Sequence, residues 1–307
     1  MINIIKPKPL KKGDIIAIVA PASPLTKSKV SIAKNYLEKL GFYVIVGKSC
    51  YCKHGYLAGN DLIRAYDINQ MFLDDEVKAI ICLRGGYGTA RILDLLDFES
   101  IKKHPKVFIG YSDITTLHIA FNKLCNMVTF HGPMAVDISN GLDDFTKESF
   151  LSNIQGNTKG TKISNPIEKP IKCKSFGITS GEIIGGNLTL INSTLGTPYE
   201  IDTRNKILFI EEVGERPYKI DRLLTQLYYA GKLDDANGII IGNFKNCEPL
   251  SDEASQRIEQ VFNDIIKSLN KPTIYNVQSG HCKPMITIPF GLNVYMDAER
   301  CQIIIKE

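Results

Sequence analysis

The sequence predicts an α/β protein with two domains: a first with a doubly wound, mostly parallel sheet, and a second, smaller one with a β-rich α+β fold. The chain has 307 residues, which is long for a single hydrophobic core and sufficient for two. In its first half, nearly continuous Val- and Ile-rich runs alternate with amphipathic helical patterns, as is typical of parallel strands covered on both faces. In its second half, strand-like runs outnumber helices.

The first domain is assigned to residues 1–150. Its strand runs are, in order, DIIAIVAPAS, FYVIVG, VKAIICLRGG, KVFIGYS and NMVTFHGP. The helical patterns between them are SKVSIAKNYLEKLG, NDLIRAYDINQMFLDD, TARILDLLDF and the stretch that begins at Asp113. In a sheet of this kind, functional groups gather at the carboxyl ends of the strands.

The pattern changes after residue 150. Residues 151–176 are rich in Lys, Asn, Gly and Pro and show no sustained period, which predicts a linker. The second domain, residues 177–307, contains two strand–helix runs that begin with GEIIGGN and KILFIEEVGE. The strand runs that follow are GIIIGNF, TIYNV, MITIPFG, NVYMDA and CQIIIKE.

Composition excludes several function classes. The apolar fraction of 44% and the charged fraction of 23% are those of an ordinary globular protein. The formal net charge is +4, with Lys and Arg scattered along the chain. The basic start, KPKPLKKGD, contains no aromatic residue, so we expect a solvated arm and no nucleic-acid partner.

Localisation is inferred from what the sequence lacks. No run approaches the apolar length that a membrane span requires, and Pro7, Pro9 and Asp14 interrupt the N-terminal segment where a secretory signal would be continuous. The eight cysteines are spread along the chain without a C-x-x-C, so we expect neither disulfides nor a zinc site. We therefore expect a cytoplasmic protein without a membrane partner.

The stretch VFIGYSDITTLHIAF places Ser112 where a strand run ends and a helix begins. One interpretation is that Ser112 and Asp113 cap the helix. The other is a nucleophile elbow, a sharp turn that presents a serine hydroxyl at the top of a sheet. The elbow motif G-x-S-x-G is incomplete because Ile114 stands at its last position. Taken alone, the pattern favours the cap.

A nucleophilic Ser112 requires a base, for which histidine is the usual residue. Three of the five histidines are poor candidates because they face away on the same helix or lie in turn-like segments: His118, His54 and His104. His131 and His281 each follow a strand run and adjoin a glycine, so either could reach a site at the strand ends. Spacing does not decide between these two.

The base in turn needs an acceptor that orients it. The run KILFIEEVGE ends a strand with Glu211 and Glu212, and Glu215 follows. Adjacent acids after an apolar strand repel each other and lose solvation, so a partner must offset that cost. The alternatives are a solvated turn or an acceptor for the histidine N–H.

The run CLRGGYGTARI closes a buried strand with Arg84, Gly85 and Gly86. Glycines at such a corner let backbone N–H groups approach a ligand closely. The run matches neither G-x-G-x-x-G nor a P-loop. It fits an oxyanion hole better, with one N–H from Gly86 or Gly85 and another from Asp113.

Taken together and in this order, the segments GDIIAIVAPAS, RGGYG, GYSD, TFHGPM, FIEEVGERP and SGHC resemble the serine LD-carboxypeptidases. This family includes murein tetrapeptide carboxypeptidases and microcin C immunity peptidases. The likeness runs through most of the chain, and RGGYG, GYSD and a late GH form a specific combination. The resemblance implies an N-terminal domain of class I glutamine-amidotransferase-like type, a β-rich C-terminal domain and a homodimer.

The resemblance also implies site residues. It assigns the nucleophile to Ser112, the base to His281 and the orienting acid to Glu211, with Glu212 as the nearest rival. The chain departs from the usual pattern after the late Gly-His, where Cys282 follows. This departure concerns the substrate pocket rather than the triad.

The implied reaction is hydrolysis of an LD-peptide bond through an acyl-enzyme, which releases D-alanine from murein tetrapeptides during cell-wall recycling. The alternative within the same family is a microcin C immunity peptidase that cleaves a peptide–nucleotide conjugate. The chain has no Trp for stacking an adenine, which disfavours that alternative, although Tyr or Phe could substitute. Arg84 is the candidate for binding the terminal carboxylate. Neither a cofactor nor a metal is expected.

Overall fold

The computed structural model describes residues 4–156, 158–250 and 255–306. These residues form a mixed α/β structure with two sheets, divided between two compact units. The first unit contains the described residues within 1–157 together with Thr287–Gly291. The second contains those within 158–286 and 292–307.

The first unit alternates strands and helices, as the sequence predicts. Its first five strands are β1 (Ile15–Val19), β2 (Tyr43–Val46), β3 (Val77–Cys82), β4 (Val107–Gly110) and β5 (Thr129–His131). Its helices are α1 (Lys27–Lys39), α2 (Asp61–Leu73), α3 (Phe98–Lys103), α4 (Thr115–Cys125), α5 (Ala135–Ser139) and α6 (Asp144–Gln155). Short 3₁₀ helices occupy Lys48–Tyr51, Thr89–Leu95 and Ser112–Ile114, so the helix predicted over TARILDLLDF is a 3₁₀ helix followed by α3.

The five strands are parallel and lie in the order β5-β4-β3-β1-β2. Every residue of β4 is buried, as expected of strands covered on both faces. Helix α1 packs against α5, whereas α2 packs against α3 and α3 against α4. The strand order reverses between β1 and β3, and the carboxyl edge at such a reversal is where open α/β sheets place their ligand sites.

The second unit is built on a larger sheet. Its strands are β6 (Lys162–Ile163), β7 (Lys172–Ser175), β8 (Ile178–Asn187), β9 (Ile207–Val213), β10 (Gly238–Lys245) and β11 (Thr273–Tyr275). Its helices are α7 (Leu188–Ser193), α8 (Pro217–Tyr229), α9 (Lys232–Asp235) and α10 (Ile258–Ile265), with a 3₁₀ helix at Lys267–Leu269. Three strands complete the chain: β12 (Ile288–Phe290), β13 (Asn293–Asp297) and β14 (Gln302–Ile305).

The eight-stranded sheet has the order β6-β14-β13-β8-β9-β10-β11-β7. Strands β8 to β11 are parallel, and the outer strands pair antiparallel. Strand β12 pairs antiparallel with β5 and is the sixth strand of the first unit's sheet, although it lies within residues 177–307. Residues 151–176 hold the end of α6 together with β6 and β7. The division into domains at 150 and 177 stays a prediction.

The basic N-terminal segment is not a solvated arm. The Ile5 amide donates to the Asn126 carbonyl, and the Val128 amide donates to the Ile5 carbonyl at 2.9 Å. The Leu10 amide donates to the Ile154 carbonyl at 2.7 Å, and the Leu10 side chain is buried. Charge composition gave no sign of these backbone contacts, which hold the segment against the first unit.

Strand β8 approaches β9 closely at Gly185, which is paired with Phe209 and has φ 136°. A Cβ added to Gly185 would overlap the carbonyl oxygen of Phe209. We therefore expect Gly185→Ala to lower the free energy of unfolding by about 3 kcal/mol or more, from overlap and backbone strain together.

The control is Gly214→Ala, because Gly214 also has a positive φ, 74°, but no atom lies within 4 Å of its added Cβ. We expect it to cost only about 1 kcal/mol, from backbone strain alone. Urea unfolding of both variants measures the difference. Equal losses would show that the approach of β8 to β9 does not require a glycine.

Candidate active site

Ser112 follows β4 with a left-handed backbone, φ 64°. Among the described residues, the other non-glycine residues with a positive φ are five asparagines and Cys301. Serine lacks the tolerance of asparagine for this region, so the conformation costs on the order of 1 kcal/mol. No side-chain cap hydrogen bond forms at the N-cap of the 3₁₀ helix, Tyr111, or at that of α4, Ile114. The left-handed φ of Ser112 is that of a strained strand-to-helix turn.

Two neighbours support this turn from inside the first unit. A Cβ on Gly110 would lie 2.8 Å from Cγ2 of the buried Ile114. Gly110, the first glycine of the G-x-S-x-G motif, therefore leaves space for Ile114, which stands where the motif has its second glycine. The fully buried His118 donates from Nε2 to the Gly110 carbonyl at 2.9 Å. Burial lowers the pKa of His118 to about 4, so this ring is neutral and packs the corner, as its position on the helix predicts.

Asp113 is held by the loop that follows β3. Its buried carboxylate accepts from the amide and from the hydroxyl of Thr89, both at 2.9 Å. The Thr89 hydroxyl also lies 2.5 Å from the Asp113 carbonyl, and Thr116 Oγ1 donates to Thr89 Oγ1 at 2.6 Å. Burial raises the pKa of Asp113, while the bonds from Thr89 oppose that rise. The carboxylate therefore anchors the turn instead of capping α4.

The two glycines of the RGGYG loop lie against other parts of the same edge. A Cβ on Gly85 would lie 3.0 Å from Oγ and 2.9 Å from Cβ of Ser112, so only a glycine leaves space beside the hydroxyl. Gly86 has φ 114° and adjoins Ser23 from the loop after β1. The Tyr87 amide donates to Ser23 Oγ at 3.3 Å, and the Ser23 amide to the Gly85 carbonyl at 3.4 Å.

Arg64, on α2, is a fully buried charge beneath the same loops. Its Nη1 donates to the Gly88 carbonyl at 2.9 Å and to the Pro21 carbonyl, and its Nη2 pairs with Asp61. A Cβ on Gly88 would lie 2.8 Å from Nη1. One guanidinium thus joins the loop after β1 to the loop after β3, which a planar fork of donors is suited to do.

In the second unit, His281 and Glu211 form a hydrogen-bonded pair. His281 Nδ1 donates to Glu211 Oε2 at 2.7 Å. The Glu211 side chain is fully buried, whereas 17% of the His281 side chain is exposed. A Cβ on Gly280 would lie 2.5 Å from the same Oε2, so the glycine allows this contact. With its proton held on Nδ1, the imidazole presents Nε2 as a base.

Glu212 has a different role, which separates it from its neighbour. Its carboxylate accepts from Asn187 Nδ2 at 2.8 Å, from the Val213 amide at 2.9 Å, and from the amide and hydroxyl of Thr189 at 2.8 and 2.7 Å. Burial raises its pKa, and these four donors oppose that rise. Glu212 joins β9 to the start of α7, and neither acid lies in a solvated turn.

The remaining sequence candidates are placed as follows. His131 lies in β5 and is fully buried, which removes it as a base that meets substrate. Arg84 follows β3 and is half-buried, with no hydrogen-bond or ion-pair partner among the residues that the structure describes. A half-buried guanidinium of this kind is suited to a carboxylate ligand.

Two family models match most of this architecture. One, described as the LD-carboxypeptidase N-terminal domain, matches residues 16–132. The other, the LD-carboxypeptidase C-terminal domain, matches residues 180–296. The chain belongs to the LD-carboxypeptidase family. It is therefore a peptidase, and Ser112, Glu211 and His281 all lie within the matched ranges.

Individual relatives in the family match over nearly the whole chain. The probable murein peptide carboxypeptidase of Bacillus subtilis is 48% identical, over 97% of this chain and 94% of the relative. Among solved structures, the microcin C7 self-immunity protein MccF superposes with a TM-score of 0.91 at 25% identity, over 98% of each chain. The muramoyltetrapeptide carboxypeptidase of Oxalobacter formigenes gives 0.85 at 29% identity, over 95% of this chain and 99% of that one.

Sequence reasoning missed Arg64, Thr89 and Ser23, which hold the predicted site residues in place. A signal was present for Arg64, because a charged residue on the buried face of an amphipathic helix must be paired. Within the described parts of the chain, no group of three His, Cys, Asp or Glu side chains could hold a metal ion, and no helix is long and apolar enough to cross a membrane. All eight cysteines are free thiols.

The position of Arg64 generates a prediction. Lysine keeps the charge, but its single ammonium cannot hydrogen-bond to the Pro21 carbonyl, the Gly88 carbonyl and the Asp61 carboxylate together. In Arg64→Lys the loops therefore shift relative to each other. We expect kcat to fall about 10- to 100-fold with KM changed little, since a small misplacement of catalytic groups costs rate. Steady-state kinetics and the melting temperature are the measurements.

The matched control is Arg91→Met. The Arg91 side chain binds the same Asp61 carboxylate at 2.9 Å but is half exposed and donates to neither loop carbonyl. We expect kcat within about threefold of the wild type, as for the loss of an exposed ion pair. Equal losses of kcat in the two variants would contradict the positioning role of Arg64.

Proposed function

We propose that this peptidase removes the terminal D-alanine from murein tetrapeptides, hydrolysing the LD-peptide bond through an acyl-enzyme on Ser112. The observation that supports this proposal most strongly is the left-handed backbone of Ser112 beside Gly85. The substrate is suggested by the relatives, which include a probable murein peptide carboxypeptidase. The pairing of His281 with Glu211 supplies the base that this chemistry needs. We further propose that these two residues and Ser112 act as one triad.

In the proposed reaction, His281 Nε2 accepts the proton of Ser112 Oγ as the oxygen attacks the peptide carbonyl. The proton then passes to the nitrogen of the leaving D-alanine, the C–N bond breaks, and an ester on Ser112 remains. Water, deprotonated by His281, hydrolyses that ester and restores the serine. Glu211 keeps the proton on Nδ1 and stabilises the imidazolium that forms twice in each cycle.

The tetrahedral intermediates carry a negative oxygen that needs donors. We propose the Asp113 amide as one donor, because the carboxylate of Asp113 is anchored to Thr89. Gly86 or Gly85 supplies the second amide from the adjoining loop. We propose that Arg84 binds the terminal carboxylate of the substrate, since its half-buried guanidinium has no partner among the described residues.

Further features of the protein are proposals of the same kind. The first unit is of class I glutamine-amidotransferase-like type, which its parallel sheet and its serine at a strand-to-helix corner support. The protein acts in the cytoplasm, for which the eight free thiols are the support. It assembles as a homodimer and uses neither metal nor cofactor.

The second candidate is a microcin-immunity-type peptidase acting on a peptide–nucleotide conjugate. Its support is the similarity to MccF, the self-immunity protein of Escherichia coli, 27% identical over 97% of this chain and 95% of the relative. In place of Trp, the exposed Tyr56 forms an edge-to-face pair with Tyr87 of the RGGYG loop, with centroids 5.7 Å apart. Such rings could stack a nucleobase.

The nucleophile is tested with Ser112→Ala. Without the hydroxyl no acyl-enzyme forms, so D-alanine release from an LD-tetrapeptide falls about 10⁴-fold or more while the melting temperature is kept. A DD-pentapeptide and an aminoacyl-sulfamoyl adenylate are assayed in parallel with the wild type. Faster cleavage of the adenylate than of the tetrapeptide favours the second candidate, and activity retained in Ser112→Ala rejects the serine mechanism for both.

The orienting acid is tested by comparing Glu211→Gln with Glu212→Gln. Glutamine at 211 no longer holds the imidazolium, so we expect kcat to fall about 10³- to 10⁴-fold. Glutamine at 212 places an amide N–H₂ against N–H donors, so we expect a loss of about 1–3 kcal/mol in stability and less than tenfold in kcat. The reverse pattern would assign the acid to Glu212.

A further inference from the structure

A cavity of about 690 Å³ lies at the amino-terminal edge of the first unit's sheet, at the opposite end of β4 from Ser112. Its walls come from the N-terminal segment, the turn before β3 and the residues between α3 and β4. Six lysines line it: Lys6, Lys8, Lys11, Lys78, Lys103 and Lys106. The lining acids are Asp14 and Asp75, so the lining carries an excess of positive charge.

Lys106 is the central observation, because only 6% of it is exposed. Its ammonium donates to the Asp74 carbonyl, and no carboxylate lies within ion-pair distance of it among the described residues. Lysine is almost never buried unless it is paired, since an uncompensated charge loses its hydration. Burial lowers the pKa of Lys106 to about 8, so the group is still mainly protonated at neutral pH. Its counter-charge is therefore expected from a ligand.

The charges of Asp74 and Asp75 raise the pKa of Lys106 and so oppose the effect of burial, but neither carboxylate forms an ion pair with it. The Asp14 carboxylate accepts the Lys11 amide at 2.7 Å. Asp75 is exposed, and its carbonyl accepts from the Lys78 ammonium. The nearby His104 bonds through Nδ1 to the Ser100 carbonyl at 2.9 Å. Lys78 and Lys106 thus each hold a carbonyl of the same turn and each retain N–H donors for another acceptor.

The N-terminal segment completes the cavity in a defined way. Lys6 and Lys8 each precede a proline, which holds both residues in extended backbone. Residues two apart in an extended segment project to the same side. Pro7 is buried, and the Leu10 amide is bonded to the Ile154 carbonyl, so the segment is attached to the unit. The K-P-K-P sequence therefore places two lysines together on one wall.

We propose that this cavity is a binding site for a compact, multiply charged phosphate compound. Lysine ammonium groups bind phosphate as point charges, whereas a planar carboxylate is matched better by arginine, which is absent from the described lining. That lining has no Phe, Tyr or Trp side chain on which a base could stack. The volume is that of a small-molecule site rather than a groove for a chain.

The test is titration calorimetry of the full-length protein with inorganic pyrophosphate at low salt. We expect a dissociation constant of about 10–500 µM. Lys106→Met removes the buried charge and should weaken binding at least about tenfold, as loss of a desolvated charge contact does. The control Lys39→Met removes an exposed lysine of α1 outside the cavity and should change the constant less than about twofold.

Three results would overturn the proposal: no binding of pyrophosphate, equal weakening by Lys106→Met and Lys39→Met, or citrate binding as tightly as pyrophosphate. Displacement of pyrophosphate by a short oligonucleotide at lower concentration would assign the cavity to nucleic acid instead. If Lys106→Met lowers the melting temperature, Lys8→Met combined with Lys78→Met makes the same test, because both side chains are exposed at the rim.

Discussion

The left-handed backbone of Ser112 is the constraint on which the first unit's site depends. A serine keeps this conformation only where the surroundings fix it, and here they do so from three sides. Thr89 binds the carboxylate of Asp113, Gly85 leaves space beside the hydroxyl, and the loop that carries both is joined to α2 by Arg64. The strain at Ser112 is thus offset by buried hydrogen bonds in the loops after β1 and β3, and these bonds also hold Asp113, the residue that follows it.

In the proposed mechanism the second unit contributes the base, which is also held by buried hydrogen bonds. Glu211 and Glu212 are adjacent on β9 and point to opposite faces, as the period of a strand requires. The carboxylate of Glu212 accepts hydrogen bonds from β8 and α7, whereas the carboxylate of Glu211 binds His281. Gly280 allows the second contact because it has no side chain. Two chemically identical side chains therefore have different partners because the strand directs them to opposite faces. A base whose tautomer is set in advance needs no reorganisation when the reaction begins.

Much of this architecture could be predicted from the sequence, and the failures have physical causes. The parallel strands of the first sheet were visible because strands covered on both faces read as apolar runs. The three-residue β12 pairs with β5 across a long separation, and a run that short does not reveal its partner. Ser112 could be proposed as the nucleophile only with a family pattern, because a left-handed φ has no sequence signature outside Gly and Asn. Arg64 and Thr89 act through backbone carbonyls and amides, which local sequence does not show.

The most direct test is to map where an active-site serine reagent reacts. The protein is treated with a fluorophosphonate, digested, and analysed by mass spectrometry, and the rate of labelling is compared with that of His281→Ala. We predict a single phosphonylated peptide that contains Ser112, with labelling slowed about 100-fold or more when the base is removed. Labelling at another serine, or labelling of Ser112 at the same rate without His281, would contradict a nucleophile at this corner activated by the histidine of the second unit.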